Sequence, residues 1–302
     1  MRIAFDDLEP RVAELTAQGH AIVEAHVVTR RAVGRAVATP FSWMLPEIST
    51  ADEIECTFAP LGPARDLSIA TITHDLSVLE RDLGRSPVLR AEKHEFAIVE
   101  NPRSAAIGLN ECLRRTTRET VLLIHHDVYL PPAFETQIEH ALRLVEQRDP
   151  HWGVLGVAGA RLREGALRYN GYLFDGVAPR RWGYPWNLPV EVDTLDELLL
   201  VVRRSAELHF DETIPGFHGY GAQICLAAKR KGLRNYTVLA DCEHHSQSSG
   251  WSPDEEYLLT HTYVAQRWSA EPYGAMLGPM PDVLPTPLKE RVQERYAATG
   301  AG

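Results

Sequence analysis

The chain has 302 residues, 44% of them hydrophobic, which is enough for one large α/β domain or two smaller ones whose cores need no staples. Its 31 basic and 41 acidic residues leave a formal charge of -10, an unfavourable balance for non-specific binding to nucleic acid or to an anionic membrane. Four cysteines, Cys56, Cys112, Cys225 and Cys242, stand apart without paired ligand spacing and read as free thiols of a reducing compartment.

In chain order, residues 7–38 place Leu15, Ile22, Val23, Val27 and Val33 among charged positions and predict a helix that Pro40 ends. Residues 1–63 are therefore expected to form a largely helical N-terminal extension, packed on the main domain or making a homo-oligomer contact. Residues 67–73 are rich in β-branched side chains and predict a strand, followed by a short helix over 75–83. A second strand is expected over 96–100, then a helix over 104–115 with Ser104 as its N-cap. The run TVLLI at 120–124 is continuously apolar and predicts a central strand covered on both faces. Residues 131–147 carry Phe134, Ile138, Ala141, Leu142 and Val145 on one helical stripe, and 154–158 follow as a fourth strand.

This alternation is a doubly wound α/β signature, and right-handed crossovers would make its sheet mostly parallel. Residues 161–187 hold Tyr169, Tyr172, Phe174, Trp182, Tyr184 and Trp186 and read as a long loop or hairpin near the site. A strand over 198–203, a helix over 217–231 stopped by Gly232, and a last strand over 236–240 complete a main domain of residues 64–250. Residues 251–302 form a C-terminal tail with a helix over 254–268. The N-terminus has no apolar leader and no run reaches membrane-spanning length, so the expectation is a soluble cytoplasmic protein without a membrane span.

Open α/β sheets bind ligands beyond the carboxyl ends of their strands. The residues expected there are Thr73, His74 and Asp75; Glu100 and Asn101; His125, His126 and Asp127; and Asp241 with His244 and His245. Asp127 directly follows a buried strand and suits a hard divalent cation bridging diphosphate oxygens; helix capping is the equal alternative. Neutral imidazole suits Mn²⁺ or Zn²⁺ better than Mg²⁺, so His244 or His245 partnered with Asp127 would favour Mn²⁺; without that partner both read as surface-loop histidines, or one as a core hydrogen-bond donor. The serines and glycine after them offer backbone amides to phosphate. Asp193 and Asp196 stand before the 198–203 strand, to hold sugar hydroxyls, to act as base, or simply to solvate a loop. One of Arg203 and Arg204 points inward and would neutralise an acid or a phosphate. Trp182, Tyr184, Trp186 and Trp251 are open to stacking on a sugar or base, or to core packing. A Walker lysine loop, a dinucleotide glycine fingerprint and a G-x-S-x-G elbow are absent.

Three stretches carry a family resemblance: Asn101 to Asn110 (NPRSAAIGLN); Leu122 to Pro131 (LLIHHDVYLP); and Val192 to Asp196 with Arg203-Arg204, Phe210-Asp211-Glu212, GFHGYG at 216–221 and His244-His245-Ser246. Their order and spacing resemble the GT-A fold glycosyltransferases of the family 2-like type, in the branch related to a streptomycin-biosynthesis domain. The resemblance covers about residues 67 to 250. It implies a Rossmann-like, mostly parallel sheet flanked by helices, a nucleotide diphosphate-sugar donor and a divalent cation. The acceptor would be a small molecule, a glycan or a peptide. Glu100, Asn101 and Asn110 would then shape the nucleotide pocket with Thr73, His74, His125 and His126. Asp127 would be the metal-binding acid of a reduced DxD-type motif, since Tyr129 stands two positions on, with His244 or His245 completing the ligand set.

The sequence departs from the family after Tyr220. Relatives place a Glu-Asp pair near that helix start, and its aspartate is the general base; here Gly221-Ala222-Gln223 stands. Glutamine takes no proton at neutral pH. The base is then Asp196, Asp193 or His218, or the mechanism is retaining, or activity is lost. As an imidazole His218 is chemically able to act as a base, but a buried helix-cap hydrogen bond is the favoured role for it. Two rivals stay open: an inactive nucleotide- or glycan-binding module, and a sugar nucleotidyltransferase, which would want a basic glycine-rich triphosphate loop that residues 74–76 lack.

Overall fold

A computed structural model describes residues 1–4, 7–30, 51–90, 92–163, 166–176, 180–183, 188–245, 255–268, 270, 290–291 and 294. Of residues 1–63, the described part is mostly sheet. Strand β1 (Arg2–Ala4), helix α1 (Leu8–Ala17), and strands β2 (His20–Arg30) and β3 (Ala51–Pro60) form it, with sheet order β1-β3-β2 and antiparallel pairing throughout. The helix predicted over 7–38 thus stops at Ala17. Gly19, with φ 81°, turns the chain, and the β-branched run after it pairs with β3. This unit joins Ile22, Ile54 and Cys56 to Tyr172, Leu188 and Leu239 in one core.

After β3 the chain runs β4 (Ser68–Thr73), α2 (Leu76–Arg81), β5 (Glu95–Glu100), α3 (Ala105–Arg115), β6 (Thr120–Ile124), β7 (Val128–Tyr129), α4 (Phe134–Arg148) and β8 (Trp152–Gly156). It continues with β9 (Ala158–Arg163), β10 (Ala166–Asp175), β11 (Arg180–Gly183), β12 (Val190–Val192), β13 (Thr194–Leu195), β14 (Leu199–Arg203), α5 (Tyr220–Arg230), β15 (Arg234–Thr237), β16 (Glu243–His244) and α6 (Glu255–Arg267). Asp75 caps α2 by accepting from the Ser77 and Val78 amides, and Ser104 caps α3 by accepting from the Ile107 amide.

Seven strands make the central sheet, in the order β12-β15-β8-β14-β6-β4-β5. β4 lies parallel to β5 and β6, and β15 parallel to β8, but β14 is antiparallel to both β6 and β8 and β12 is antiparallel to β15. The architecture is α/β with a mixed central sheet flanked by helices. β6 is buried along its whole length because both faces are covered. Leu122 and Ile124 pack with Phe134, Ile138 and Leu142 of α4, while Val121 and Leu123 pack with Leu109 of α3 and Ile224 of α5. Each such side chain stabilises the fold by roughly 1.5–3 kcal/mol.

A second sheet, β13-β9-β10-β16-β7 with β11 on β10, takes up the segment read as a loop or hairpin. Its β16–β7 pair sets His244 opposite Val128, and the His245 amide donates to the Asp127 carbonyl at 2.8 Å. Residues more than a hundred positions apart are thereby stitched side by side at the carboxyl edge of β6. The four cysteines are buried, and none of them is in a disulfide. Among the described residues no helix is long and apolar enough to cross a membrane.

Candidate metal centre

β6 ends at Ile124, and the turn that follows projects His125 and Asp127 past the sheet edge. His125 Nδ1 lies 3.9 Å from Asp127 Oδ1, and His244 Nε2 lies 3.4 Å from the same oxygen. One ligand atom from each of the three residues falls within 4.8 Å of the others. Asp127 Oδ1 and His244 Nε2 are both buried and have no hydrogen-bond partner. Leaving two such atoms facing each other unbonded is costly, and a shared cation removes the cost. Two imidazoles and a carboxylate suit a first-row divalent ion better than Mg²⁺. The residues present fit the divalent cation that the sequence resemblance implies.

The electrostatics agree with that fit. Burial pushes the Asp127 carboxyl up, but the His244 ring and the charges of His125, His244 and His126 outweigh it and hold it well below the usual carboxylate range. Burial lowers His125 to about 4 against the pull of Asp127, so its ring is neutral and has a lone pair to offer. Burial lowers His244 too, but Asp127 together with the charges of Asp196 and Asp175 outweighs it and leaves the ring raised, so a cation bound there displaces a proton.

Tyr220, at the start of α5, fixes the His125 ring. Its hydroxyl meets His125 Nε2 at 2.6 Å and reaches the Glu197 carbonyl oxygen at 3.4 Å. A carbonyl only accepts, so the hydroxyl donates there and takes the Nε2 hydrogen. That tautomer leaves the Nδ1 lone pair facing Asp127. Tyr220→Phe is expected to weaken Mn²⁺ binding by roughly 10- to 100-fold, as read by calorimetric titration. Unchanged affinity would show that this hydrogen bond does not orient the ligand.

Of the other predicted site residues, several converge on the same edge. Thr73 Oγ1 pairs with His126 Nδ1 at 2.6 Å. The exposed His74 ring lies 5.1 Å from His126 and 6.4 Å from Phe217. Glu100 and Asn101 are exposed at the end of β5, and Asn101 adopts φ 48° with its amide on the Thr73 carbonyl at 2.8 Å. Asp196 is exposed, its Oδ1 accepts from the Leu198 amide at 3.0 Å, and its charge acts on both His125 and His244. The His218 ring stands edge-on to Tyr257 of α6 with centroids 5.4 Å apart.

The remaining predicted residues have other partners. His245 does not join the cluster. Its Nδ1 meets buried Asp82 at 2.9 Å and its Nε2 meets Glu243 at 3.3 Å. Asn110 holds the Phe210 backbone through both amide ends and touches Glu212, all at 2.9 Å, so it clamps that segment. Asp193 pairs with Lys229 and accepts from the Leu162 amide at 3.0 Å, which makes it a structural ion pair. Arg203 donates to the Trp152 and Pro150 carbonyls and Arg204 to those of Thr116, Leu113 and Arg118, so both guanidinium groups are engaged with backbone. Tyr184, Trp186, Trp251 and the run 246–250 lie outside the described residues, as does the side chain of Trp182.

Sequence reading missed Tyr220 as a ligand-orienting group and passed over Glu197, whose carboxylate reaches the first turn of α5. The available signal was Gly221: a glycine at the second residue of a helix marks something packed close against it.

Fold and site together define an α/β protein with a His-Asp-His cluster at the carboxyl edge of its sheet. No family model matches the sequence. The chain is 30% identical over 162 residues to the "ATP synthase subunits region ORF 6" protein of Fuscovulum blasticum, a match over 52% of this chain and 63% of that one. It therefore spans less than two thirds of that relative's length. Among solved structures it is similar to GalNAc-T7 with UDP, GalNAc and Mn²⁺, with 10% identity, 78% of this chain and 56% of that chain covered, and a TM-score of 0.46. It is also similar to the mannosyltransferase PcManGT from Pyrobaculum calidifontis in complex with GDP-Man and Mn²⁺, with 13% identity, 79% and 72% covered, and a TM-score of 0.45.

Proposed function

We propose that the chain is a metal-dependent glycosyltransferase that moves a sugar from a nucleoside diphosphate donor to a hydroxyl acceptor. The observation that carries this reading is the His125, Asp127 and His244 cluster, with two buried atoms that lack a hydrogen bond, at the carboxyl edge of an α/β sheet. His125, Asp127 and His244 would hold the cation, Mn²⁺ in preference to Mg²⁺. When bound, it supplies positive charge to the diphosphate as the leaving group forms. The remaining steps belong to the protein's own groups. His74, His126 and Phe217 form an aromatic wall beside Thr73, suited to the nucleobase. Glu100, exposed at the neighbouring strand end, accepts from base or ribose donors. Asp196, exposed and with its charge acting on both His125 and His244, would accept from sugar or acceptor hydroxyls.

The test is a panel of nucleoside diphosphate sugars incubated with the protein, with Mn²⁺, with Mg²⁺ and with chelator. Release of nucleoside diphosphate that depends on Mn²⁺ is the expected result. A protein that binds Mn²⁺ and a nucleotide yet releases nothing with any donor or acceptor would instead be a binding module.

A further inference from the structure

The first turn of α5 has no room for a side chain at Gly221. A Cβ there would lie 2.6 Å from the Leu195 carbonyl oxygen and 2.9 Å from Glu197 Cγ. Glu197 already fills that space, and its Oε1 accepts a hydrogen bond from the Gly221 amide at 3.2 Å. The carboxylate at the start of α5 is therefore supplied by the turn between β13 and β14, not by the helix itself.

Its main chain borders the metal centre. The Glu197 carbonyl and the His125 ring share the Tyr220 hydroxyl, and the next carbonyl, that of Leu198, accepts from the His125 amide at 3.0 Å. Glu197 is half-buried, and no cation pairs with it among the described residues. Burial and the Asp196 charge push its carboxyl up to about 8, against the opposing amides of Gly221, Tyr220 and Gly219. A carboxylate raised in this way is a stronger base than an ordinary one. The competing acids are less suited. Asp193 is neutralised by Lys229, and Asp196 is exposed to water with Oδ1 committed to a turn.

We infer that Glu197 takes the proton from the acceptor hydroxyl during sugar transfer, an assignment that rests on the glycosyltransferase reading above. The acceptor O–H bond breaks and its proton moves to a Glu197 carboxylate oxygen. The electron pair left on the acceptor oxygen forms the bond to the anomeric carbon. The bond from that carbon to the diphosphate breaks, and its electrons leave with the nucleoside diphosphate. A single displacement of this kind inverts the anomeric centre.

The test uses the whole chain, Mn²⁺ and the donor that the panel selects. Glu197→Gln keeps an oxygen for the Gly221 amide and removes only the basicity. Turnover is expected to fall by roughly 10²-fold or more, with Mn²⁺ affinity by calorimetry and melting temperature close to wild type. Near-normal turnover in Glu197→Gln overturns the assignment and leaves the glycosyltransferase reading standing. A wild-type protein silent on every donor overturns both. Where Glu197→Gln fails to fold, the initial anomer released by wild type decides by NMR: inversion supports the assignment and retention overturns it.

Discussion

Asp127→Asn is expected to lower turnover by roughly 10²-fold or more and to remove most Mn²⁺ affinity, because it deletes the one anionic member of a three-residue ligand set. Asparagine keeps the size and both polar ends of the side chain, so packing around β6 is undisturbed. What is lost is the charge that the surroundings hold in its ionised form far below the usual range. The neutral His125 ring cannot replace it, since two imidazoles alone give a divalent ion no charge compensation. Calorimetric titration with Mn²⁺ and release of nucleoside diphosphate measure the two effects separately. If the variant binds Mn²⁺ as tightly as wild type, Asp127 is not a ligand. If it binds weakly but turns over normally at saturating Mn²⁺, the ion is structural and the leaving group is stabilised elsewhere.

The elements that position Asp127 were legible from sequence because their causes are local. TVLLI forms β6 as expected, since a run with no polar residue has to be covered on both faces. Asp75 and Ser104 cap the helices they precede. The insertion of β14 between β6 and β8 was not legible. It follows an excursion through the second sheet, and crossover rules treat successive strands as neighbours. The choice between His244 and His245 was open in sequence but is fixed by strand geometry. Adjacent residues on β16 and its extension point to opposite sides, so only one reaches Asp127 while the other meets Asp82. Glu197 has nothing in the local run VDTLDELLL to set it apart from Asp193 and Asp196. Its burial depends on a glycine 24 positions away, and no local pattern encodes that contact.

Metal-free wild type is expected to lose stability between about pH 4.5 and about pH 8 relative to Glu197→Gln, over the interval between the ordinary glutamate value and the raised one. The sign follows from which state holds the proton more tightly. Below the ordinary value both folded and unfolded chains carry it, and the contribution of Glu197 is fully present. As pH rises the unfolded chain ionises first, and the folded state falls behind by up to about 1.4 kcal/mol per pH unit until its own carboxyl ionises. Asp196 on the same loop, Tyr220 on α5 and Tyr257 on α6 share the field of Glu197, and the raised values of both tyrosines keep them uncharged through this window. His125 acts in the opposite direction as pH falls toward 4, and His244 acts in the same direction as Glu197 above its ordinary value, so the wild-type curve alone is a mixture. The difference between wild type and Glu197→Gln cancels those common terms. Urea unfolding at a series of pH values, with chelator present, reads it directly. Parallel curves would mean that Glu197 ionises as easily folded as unfolded, and a carboxyl of ordinary basicity has no advantage over the exposed Asp196 beside it. Diverging curves would mean that the ionisation which weakens the fold also produces the base, so stability and turnover should move in opposite directions across the same interval.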